Sequence, residues 1–378
     1  MTDGVDLAAL LAQQGPWTYA YIEGRGDEPQ PTERSRRRTV TDRLAECAAP
    51  PRDVEAIQEA LDEDGGLPSP SVRYLLAREG RIEADERFRG PRLGPELIGH
   101  GPVPCVLPLL RHRAADLRYL VVETGREGAQ VRVERAGRAR IEASEDVEGR
   151  TDSLPKVQAG GWSHLRYQQH SEEIWAQTQG EVAEAVERLA REHAPRFVVI
   201  AGDVRARQLL RDQLGPALAG RVVEVDAHAR AAGADGGARD TAIAEAIDRA
   251  LRADLDAVVD RASAGGGASG ARGTADVIAA LQQARVDTLL LDARMLDATE
   301  TLDALDGPPW VADGEAVGAE RIAPVPLAEA LARAALLSGA RVLVVEENGL
   351  PDDAPRPERE TPPPLAALRW SDGDARAG

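Results

Sequence analysis

The segment 153–171 brings together the residue types of this chain that could contact RNA. It has no Asp or Glu, although 64 residues of the chain are acidic. Cations bind phosphates, aromatic rings stack on bases, and a Gly-Gly pair lets the backbone approach a partner closely. The composition predicts an RNA-binding loop, with an ordinary exposed loop and a capping turn as the alternative. The candidate RNA-binding residues are Lys156, Gly160, Gly161, Trp162, Ser163, His164, Arg166 and Tyr167.

A second basic cluster lies near the N-terminus in a predicted helix. Helical spacing would distribute its five arginines around the surface, so the pattern favours a solvated helix face. A patch that contacts phosphates is the alternative. The cluster consists of Arg34, Arg36, Arg37, Arg38 and Arg43.

Composition limits the class of function. The formal net charge of −18 over 378 residues argues against a protein that wraps DNA, because the average field repels phosphate. Cys47 and Cys105 are isolated and the six histidines show no HExxH pattern, so no disulfide framework and no metal site are expected. The N-terminus has no basic, apolar leader and no run of 18 apolar residues occurs. These features predict a cytoplasmic protein that does not contact a membrane.

Nucleotide-binding motifs are also absent from the sequence. Gly265, Gly267 and Gly270 fit G-x-G-x-x-G, but they follow a predicted helix rather than a strand, which excludes a dinucleotide site. Lys156 is the only lysine and does not lie in a phosphate-binding loop motif. No cofactor is therefore expected.

The middle of the chain has the most regular pattern of predicted elements. Three strands at 117–123, 129–135 and 138–143 form a meander, and a long amphipathic helix follows the segment 153–171 and ends before Pro195. Strand 197–201, a helix at 204–214 and strand 221–225 then complete a β-α-β unit. The pattern predicts a mixed sheet with a long helix, in a ribonuclease H-like arrangement.

The flanking regions predict two further domains and an α/β (α+β) fold. Domain boundaries are expected at 1–103, 104–231 and 232–350, with a mobile tail at 351–378 that is rich in Pro and charge. The proline-rich stretch 90–108 is expected to be a linker, and 263–273 a Gly/Ser/Ala loop. Alternating helices and strands predict an α/β/α sandwich for the third domain.

The order and spacing of these motifs resemble the archaeo-eukaryotic peptide-chain release factors. Those proteins have a Gly-Gly-Gln tip, a Ser-x-x-Arg-Phe continuation, a long helix and a Val-Leu-Ala-Gly strand. The resemblance covers roughly residues 104–350 and implies a three-domain, tRNA-shaped protein that enters the ribosomal A site. It rests on Leu154-Pro155-Lys156, Gly160-Gly161, Ser163, Leu165-Arg166-Tyr167, Phe197-Val198-Val199-Ile200-Ala201-Gly202 and the helix and strand of 273–291.

Two departures from that family bear on function. Trp162 stands where the family has its catalytic glutamine, and an indole has one N–H donor and no carbonyl to position water. The N-terminal part also lacks an Asn-Ile-Lys-Ser element, which places stop-codon decoding in doubt. His164 is a conceivable substitute base, but the sequence gives no support for its geometry.

A release-factor architecture without the release residue resembles two branches, the Pelota-type rescue proteins and the bacterial Balon-like factors. The latter include actinobacterial relatives that occupy idle ribosomes together with elongation factor Tu. The Gly-Gly-Trp-Ser loop is most similar to this second branch. The resemblance implies a monomeric, non-enzymatic hibernation or stress factor that binds rRNA, with elongation factor Tu as a candidate partner. Peptidyl-tRNA hydrolysis in ribosome rescue and a stress-linked protein scaffold are the alternatives.

Overall fold

The computed structural model describes residues 5–24, 30–63, 67, 69–138, 140–149, 163–225, 235–264, 268–314, 318–346 and 362–370. In the helix that begins at Ser163, side chains are described from Glu173 onwards. The chain divides into two compact units. One combines Met1–Ala114 with Leu251–Gly378, and the other is Ala115–Ala250.

The N-terminal part of the first unit is built on a four-stranded antiparallel sheet in the order β3-β2-β1-β4. The hairpin predicted around Glu79-Gly80 is confirmed, and both of these residues have positive φ. The elements are α1 (Leu7–Leu11), β1 (Trp17–Glu23), α2 (Gln30–Glu46), α3 (Pro51–Asp62), β2 (Ser71–Arg78), β3 (Arg81–Arg89), β4 (Leu97–Gly101) and α4 (Leu107–Ala114).

The linker predicted at 90–108 is wrong, because this stretch contains β4 and the start of α4. β4 pairs antiparallel with β1, and a Cβ atom at Gly99 would lie 2.5 Å from the Tyr19 hydroxyl oxygen. The prolines therefore border a short strand instead of marking an extended connection. Glycine at this position lets β4 lie directly beneath the tyrosine.

The basic cluster on α2 is largely neutralised by carboxylates. Arg36 and Arg37 both contact Glu33, at 3.1 and 3.2 Å. Arg38 lies 3.9 Å from Asp42, and Arg43 pairs with Glu96. These pairs favour the solvated, ion-paired helix face over a phosphate-binding patch.

The middle unit is a five-stranded mixed sheet in the order β7-β6-β5-β8-β9. β5, β6 and β7 are antiparallel, whereas β8 and β9 run parallel to β5. The order and the long helix confirm the predicted mixed sheet of ribonuclease H-like arrangement. The elements are β5 (Arg118–Thr124), β6 (Gly128–Arg135), β7 (Arg140–Glu148), α5 (Ser163–His193), β8 (Val198–Gly202), α6 (Val204–Gln213), α7 (Pro216–Ala219), β9 (Val222–Glu224) and the first part of α8 (Asp235–Ser263), whose residues after Ala250 belong to the first unit.

Two apolar clusters cover the two faces of this sheet. On one face, Val182 and Val186 of α5 pack with Val122 and Ile200 of the strands. On the other face, Ala246 of α8 packs with inward-facing residues of β5 and β8. The alternation along β5 directs its odd-numbered and even-numbered residues to opposite helices.

The C-terminal part of the first unit has a four-stranded sheet in the order β10-β16-β11-β15 and a three-stranded sheet in the order β13-β12-β14. Helices α8 and α10 pack on opposite faces of the larger sheet, which confirms the predicted α/β/α sandwich. The elements are β10 (Gly270–Arg272), α9 (Thr274–Gln282), β11 (Val286–Asp292), β12 (Thr301–Leu305), β13 (Val311–Ala312), β14 (Arg321–Pro326), α10 (Leu327–Leu337), β15 (Arg341–Val345) and β16 (Leu365–Leu368).

Two sequence predictions fail in this part. The loop expected at 263–273 contains β10, and the tail expected to be mobile from 351 contains β16. β16 lies between β10 and β11, with Ala366 and Ala367 completely buried. Four residues are too few to show an alternating pattern, so the apolar run 365–368 gave no strand signal against its charged, proline-rich surroundings. No helix in the described parts of the chain is long and apolar enough to span a membrane.

Candidate functional site at the root of the 150–162 segment

The predicted RNA-binding residues fall partly outside the described structure. Lys156, Gly160, Gly161 and Trp162 lie outside the described residues. Ser163, His164, Arg166 and Tyr167 lie on the first turns of α5, and only their backbone is described.

The loop predicted over 153–171 is therefore too long at its C-terminal end. α5 begins at Ser163, so residues 163–171 are helical. The sequence after Gly161 contains no glycine or proline until Gly180, and serine is a frequent residue at a helix start. Helix propensity thus outweighs the polar, aromatic composition that favoured a loop.

Gly149 fixes the point at which the 150–162 segment leaves the sheet. Its N–H donates to the carbonyl oxygen of Glu127 at 2.7 Å. A Cβ atom at this position would lie 2.5 Å from Oγ1 of Thr178, a buried residue of α5. The backbone after β7 therefore lies directly against α5, and a larger residue would separate them.

Gln179 joins α5 to the end of β5. The Thr124 hydroxyl donates to Gln179 Oε1 at 2.8 Å, and Gln179 Nε2 donates to the Gly125 carbonyl at 3.0 Å. Gln179 is completely buried, so both ends of its amide must be paired to avoid a large desolvation penalty. Gln179 has no distinguishing signal in the sequence, because it is one polar residue within a long amphipathic helix.

Gly202 ends β8 beside the same strand end. Its φ is 115°, and a Cβ atom would lie 2.0 Å from the Thr124 carbonyl oxygen. That oxygen accepts a 3.0 Å hydrogen bond from the Asp203 N–H. Both observations explain why glycine, and no larger residue, ends β8. The Ala201-Gly202 end of this strand is one of the motifs that carry the resemblance to the release factors.

Asp203 caps the N-terminus of α6. Its Oδ1 accepts from the N–H groups of Arg205 and Ala206 at 2.9 and 3.2 Å. Burial opposes ionisation, but these N–H groups and the Arg126 guanidinium outweigh it, and the pKa of Asp203 lies below its usual range. The carboxylate is therefore an ionised helix cap, not a proton donor near neutral pH.

Arg126 and Trp175 form a stacked pair at this end of the sheet. The guanidinium lies 4.9 Å from the centre of the Trp175 ring, and its Nε lies 3.3 Å from Asp203 Oδ2. The Arg126 side chain is 62% exposed. Arg126 and Trp175 are 49 positions apart, so no local pattern in the sequence indicates that they pair.

The described part of this site holds the backbone on either side of the 150–162 segment in position. We name Thr124, Gly125, Gly149, Thr178 and Gln179 the loop root. These residues fix both chain ends from which the 150–162 segment extends, β7 on one side and α5 on the other. Within the described ranges, no three His, Cys, Asp or Glu side chains gather in an arrangement that could hold a metal ion.

Comparisons with known proteins include one family model that matches this region. Residues 118–268 match the family model of bacterial archaeo-eukaryotic release factor family 2. The chain is 26% identical over 288 residues to the Mycobacterium tuberculosis protein Rv2629 (strain ATCC 25618 / H37Rv), which covers 75% of this chain and 76% of that protein.

Similar solved structures include two of Pelota type. Archaeoglobus fulgidus Pelota is 16% identical, covers 80% of each chain and has a TM-score of 0.36. S. cerevisiae Dom34 is 9% identical, covers 81% of this chain and 82% of that chain, and has a TM-score of 0.41. The match over residues 118–268 makes this part of the chain, which contains the five-stranded sheet and the long helix, similar to bacterial archaeo-eukaryotic release factor family 2.

Proposed function

We propose that this protein is a ribosome-binding hibernation or stress factor. It occupies the A site, and its segment 153–171 reaches the peptidyl-transferase centre without hydrolysing peptidyl-tRNA. The observation that carries the proposal is Trp162, which lies within the match to release factor family 2, at the position where the archaeo-eukaryotic release factors that the sequence resembles have a catalytic glutamine. The indole cannot present a carbonyl acceptor to water, so hydrolysis loses its water-positioning group.

The residues around Trp162 support contact with rRNA. Lys156, His164 and Arg166 would meet phosphates, while Trp162 and Tyr167 would stack or wedge among bases. The segment contains no carboxylate that would repel a phosphate. The Gly160-Gly161 pair permits close approach of the backbone.

The loop root supports the same proposal mechanically. A segment that reaches into a narrow RNA site binds more tightly when both of its ends are held in place, because free movement of those ends would have to be lost on binding at a cost in entropy. The tight contact of Gly149 with Thr178 and the buried Gln179 bonds hold those ends. The proposal includes a monomer acting in the cytoplasm, with elongation factor Tu as a candidate partner.

Cosedimentation with purified ribosomes tests the RNA contact. The double variant Lys156→Glu with Arg166→Glu is expected to weaken binding about 100-fold, because two charge-assisted phosphate contacts become repulsive. Wild-type binding should also fall steeply as salt rises. The matched control is Arg81→Glu with Arg249→Glu, which changes the net charge equally at exposed sites elsewhere. Equal losses in both double variants, or no wild-type cosedimentation at any salt concentration, would contradict the proposal.

The alternative function is peptidyl-tRNA hydrolysis in ribosome rescue. The retained Gly160-Gly161 pair is the observation that favours it. A peptide-release assay on stalled ribosome complexes separates the two functions, and our proposal expects no release above the level of ribosomes alone. Release by the wild type that Gly161→Ala abolishes would establish the hydrolase instead.

A further inference from the structure

β7 lies at an edge of the middle sheet. Among the described strands it pairs with β6 alone, through a ladder that is regular from Ala143↔Val133 to Glu148↔Gly128. The other side of β7 therefore presents backbone N–H and C=O groups that the ladder does not use. Six regular residues are enough to form a typical strand pair.

A groove runs between this edge and α5. It is open to solvent, and its apolar lining includes Val147 and Ala185. Arg188 of α5 bridges to both carboxylate oxygens of Glu145 of β7 at 2.7 Å. Side chains of an added strand would alternate between this groove and the opposite face of the sheet.

The charges around the groove define the partner that fits it. Glu145 is paired with Arg188, but Glu181 and Glu184 on the groove wall have no ion partner among the described residues. On the opposite face of β7, Asp146 accepts only a neutral amide donor from Gln130 among the described contacts, and Glu148 is exposed. Arg188 and Arg191 also line the groove beside its four carboxylates, so the lining has a formal charge of −2. An added strand would therefore meet a net negative charge on both of its faces.

We propose that β7 and α5 bind an extended, Lys- and Arg-rich segment of a partner protein, which adds to the sheet as a sixth strand. The β7 backbone supplies hydrogen bonds, and alternate cationic side chains, which all point to the same face of the added strand, reach Glu181 and Glu184 in the groove. Nucleic acid does not fit, because its phosphates would face these carboxylates. A second copy of β7 does not fit either, because acidic residues would lie against acidic residues.

This surface is separate from the 153–171 segment and does not depend on the proposed ribosomal role. The probe is a fluorescein-labelled nine-residue peptide of alternating lysine and valine, measured by anisotropy with the full chain. We expect it to bind at least tenfold more tightly than the peptide with glutamate in place of lysine. The variant Glu181→Lys with Glu184→Lys should weaken binding at least tenfold.

Two controls separate strand addition from general charge attraction. Glu245→Lys with Asp256→Lys gives the same change of net charge at exposed positions of α8 and should leave binding within twofold of the wild type. Peptides N-methylated at all odd or at all even residues test backbone pairing, and one of the two should lose binding while the other keeps it. Equal weakening by both double variants, or equal behaviour of the two methylated peptides, would overturn the proposal.

Discussion

Gly202→Ala is expected to destabilise the middle unit by about 3 kcal/mol. Part of this cost arises because alanine rarely adopts a positive φ, and part because the added Cβ makes a close contact that the sheet must move to relieve. The new Cβ would lie 2.0 Å from the Thr124 carbonyl oxygen. Because that oxygen belongs to the backbone, relief requires β5 and β8 to separate. Thr124 would then move away from Gln179, and the loop root would loosen with it.

Hydrogen exchange read by mass spectrometry checks this prediction locally. Amides of 198–202 and 120–124 should lose protection equivalent to about 3 kcal/mol, since exchange reports the free energy of opening. The control is Gly220→Ala in the same unit, where φ is −74° and an added Cβ has no heavy atom within 4 Å. Similar protection in the two variants would show that the close approach at Gly202 does not hold the strands together.

Removal of the Glu329 carboxylate is expected to weaken the first unit by a similar amount. Glu329 is 3% exposed and accepts from the N–H groups of Val106 and Leu107 at 2.6 and 3.2 Å. The Cys105 thiol donates to it at 3.4 Å. Glu329→Ala leaves two buried N–H groups unpaired and creates a cavity, which together cost about 3 kcal/mol. Hydrogen exchange of α4 and α10 measures the loss.

The same carboxylate gives the first unit a distinctive pH dependence. Burial raises the pKa of Glu329 to about 7, although the Val106 and Leu107 N–H groups and the Cys105 thiol act in the opposite direction. An acid with a raised pKa in the folded state binds its proton more tightly there, so stability is full below pH 4.5 and is lost as pH rises through 7. Between pH 5 and 8 this contribution falls by about 2–3 kcal/mol.

Glu329→Gln separates this titration from others. His112 acts in the opposite sense, because burial lowers its pKa to about 4 and stability from this source rises with pH between 4 and 6.5. The difference between wild type and Glu329→Gln cancels the His112 contribution. Unfolding by urea at pH 5 and pH 8 gives the free energy of unfolding of both proteins. The value for Glu329→Gln should rise relative to that of the wild type at the higher pH. A difference that does not change with pH would mean that Glu329 does not titrate in this range.

The elements that the sequence predicted well are those with a strong local signal. β5 and β6 alternate clearly, and α5 is long enough for its apolar period to be unmistakable. The strands β4, β10 and β16 have five, three and four residues, and each forms because a distant strand is available to pair with it. The β12–β14 sheet was missed for the same reason. Pairing at long range is not encoded in any short window of sequence.

The residues of the candidate site also differ in whether a local pattern in the sequence indicates them. Segment 153–171 was identified from composition, which is a local property, and from the motif order of the family. Gln179, Gly202 and the Arg126–Trp175 pair matter only because folding brings them to the ends of β5 and β8. Gln179 in particular is an ordinary polar residue in the sequence, and 55 positions separate it from Thr124.

The most direct test of the proposed function is the structure of this protein bound to a ribosome without peptidyl-tRNA. We expect the protein to occupy the A site, with residues 160–163 in the peptidyl-transferase centre and Trp162 stacked or wedged against rRNA. A bound protein whose residues 160–163 lie away from the peptidyl-transferase centre would contradict the proposal.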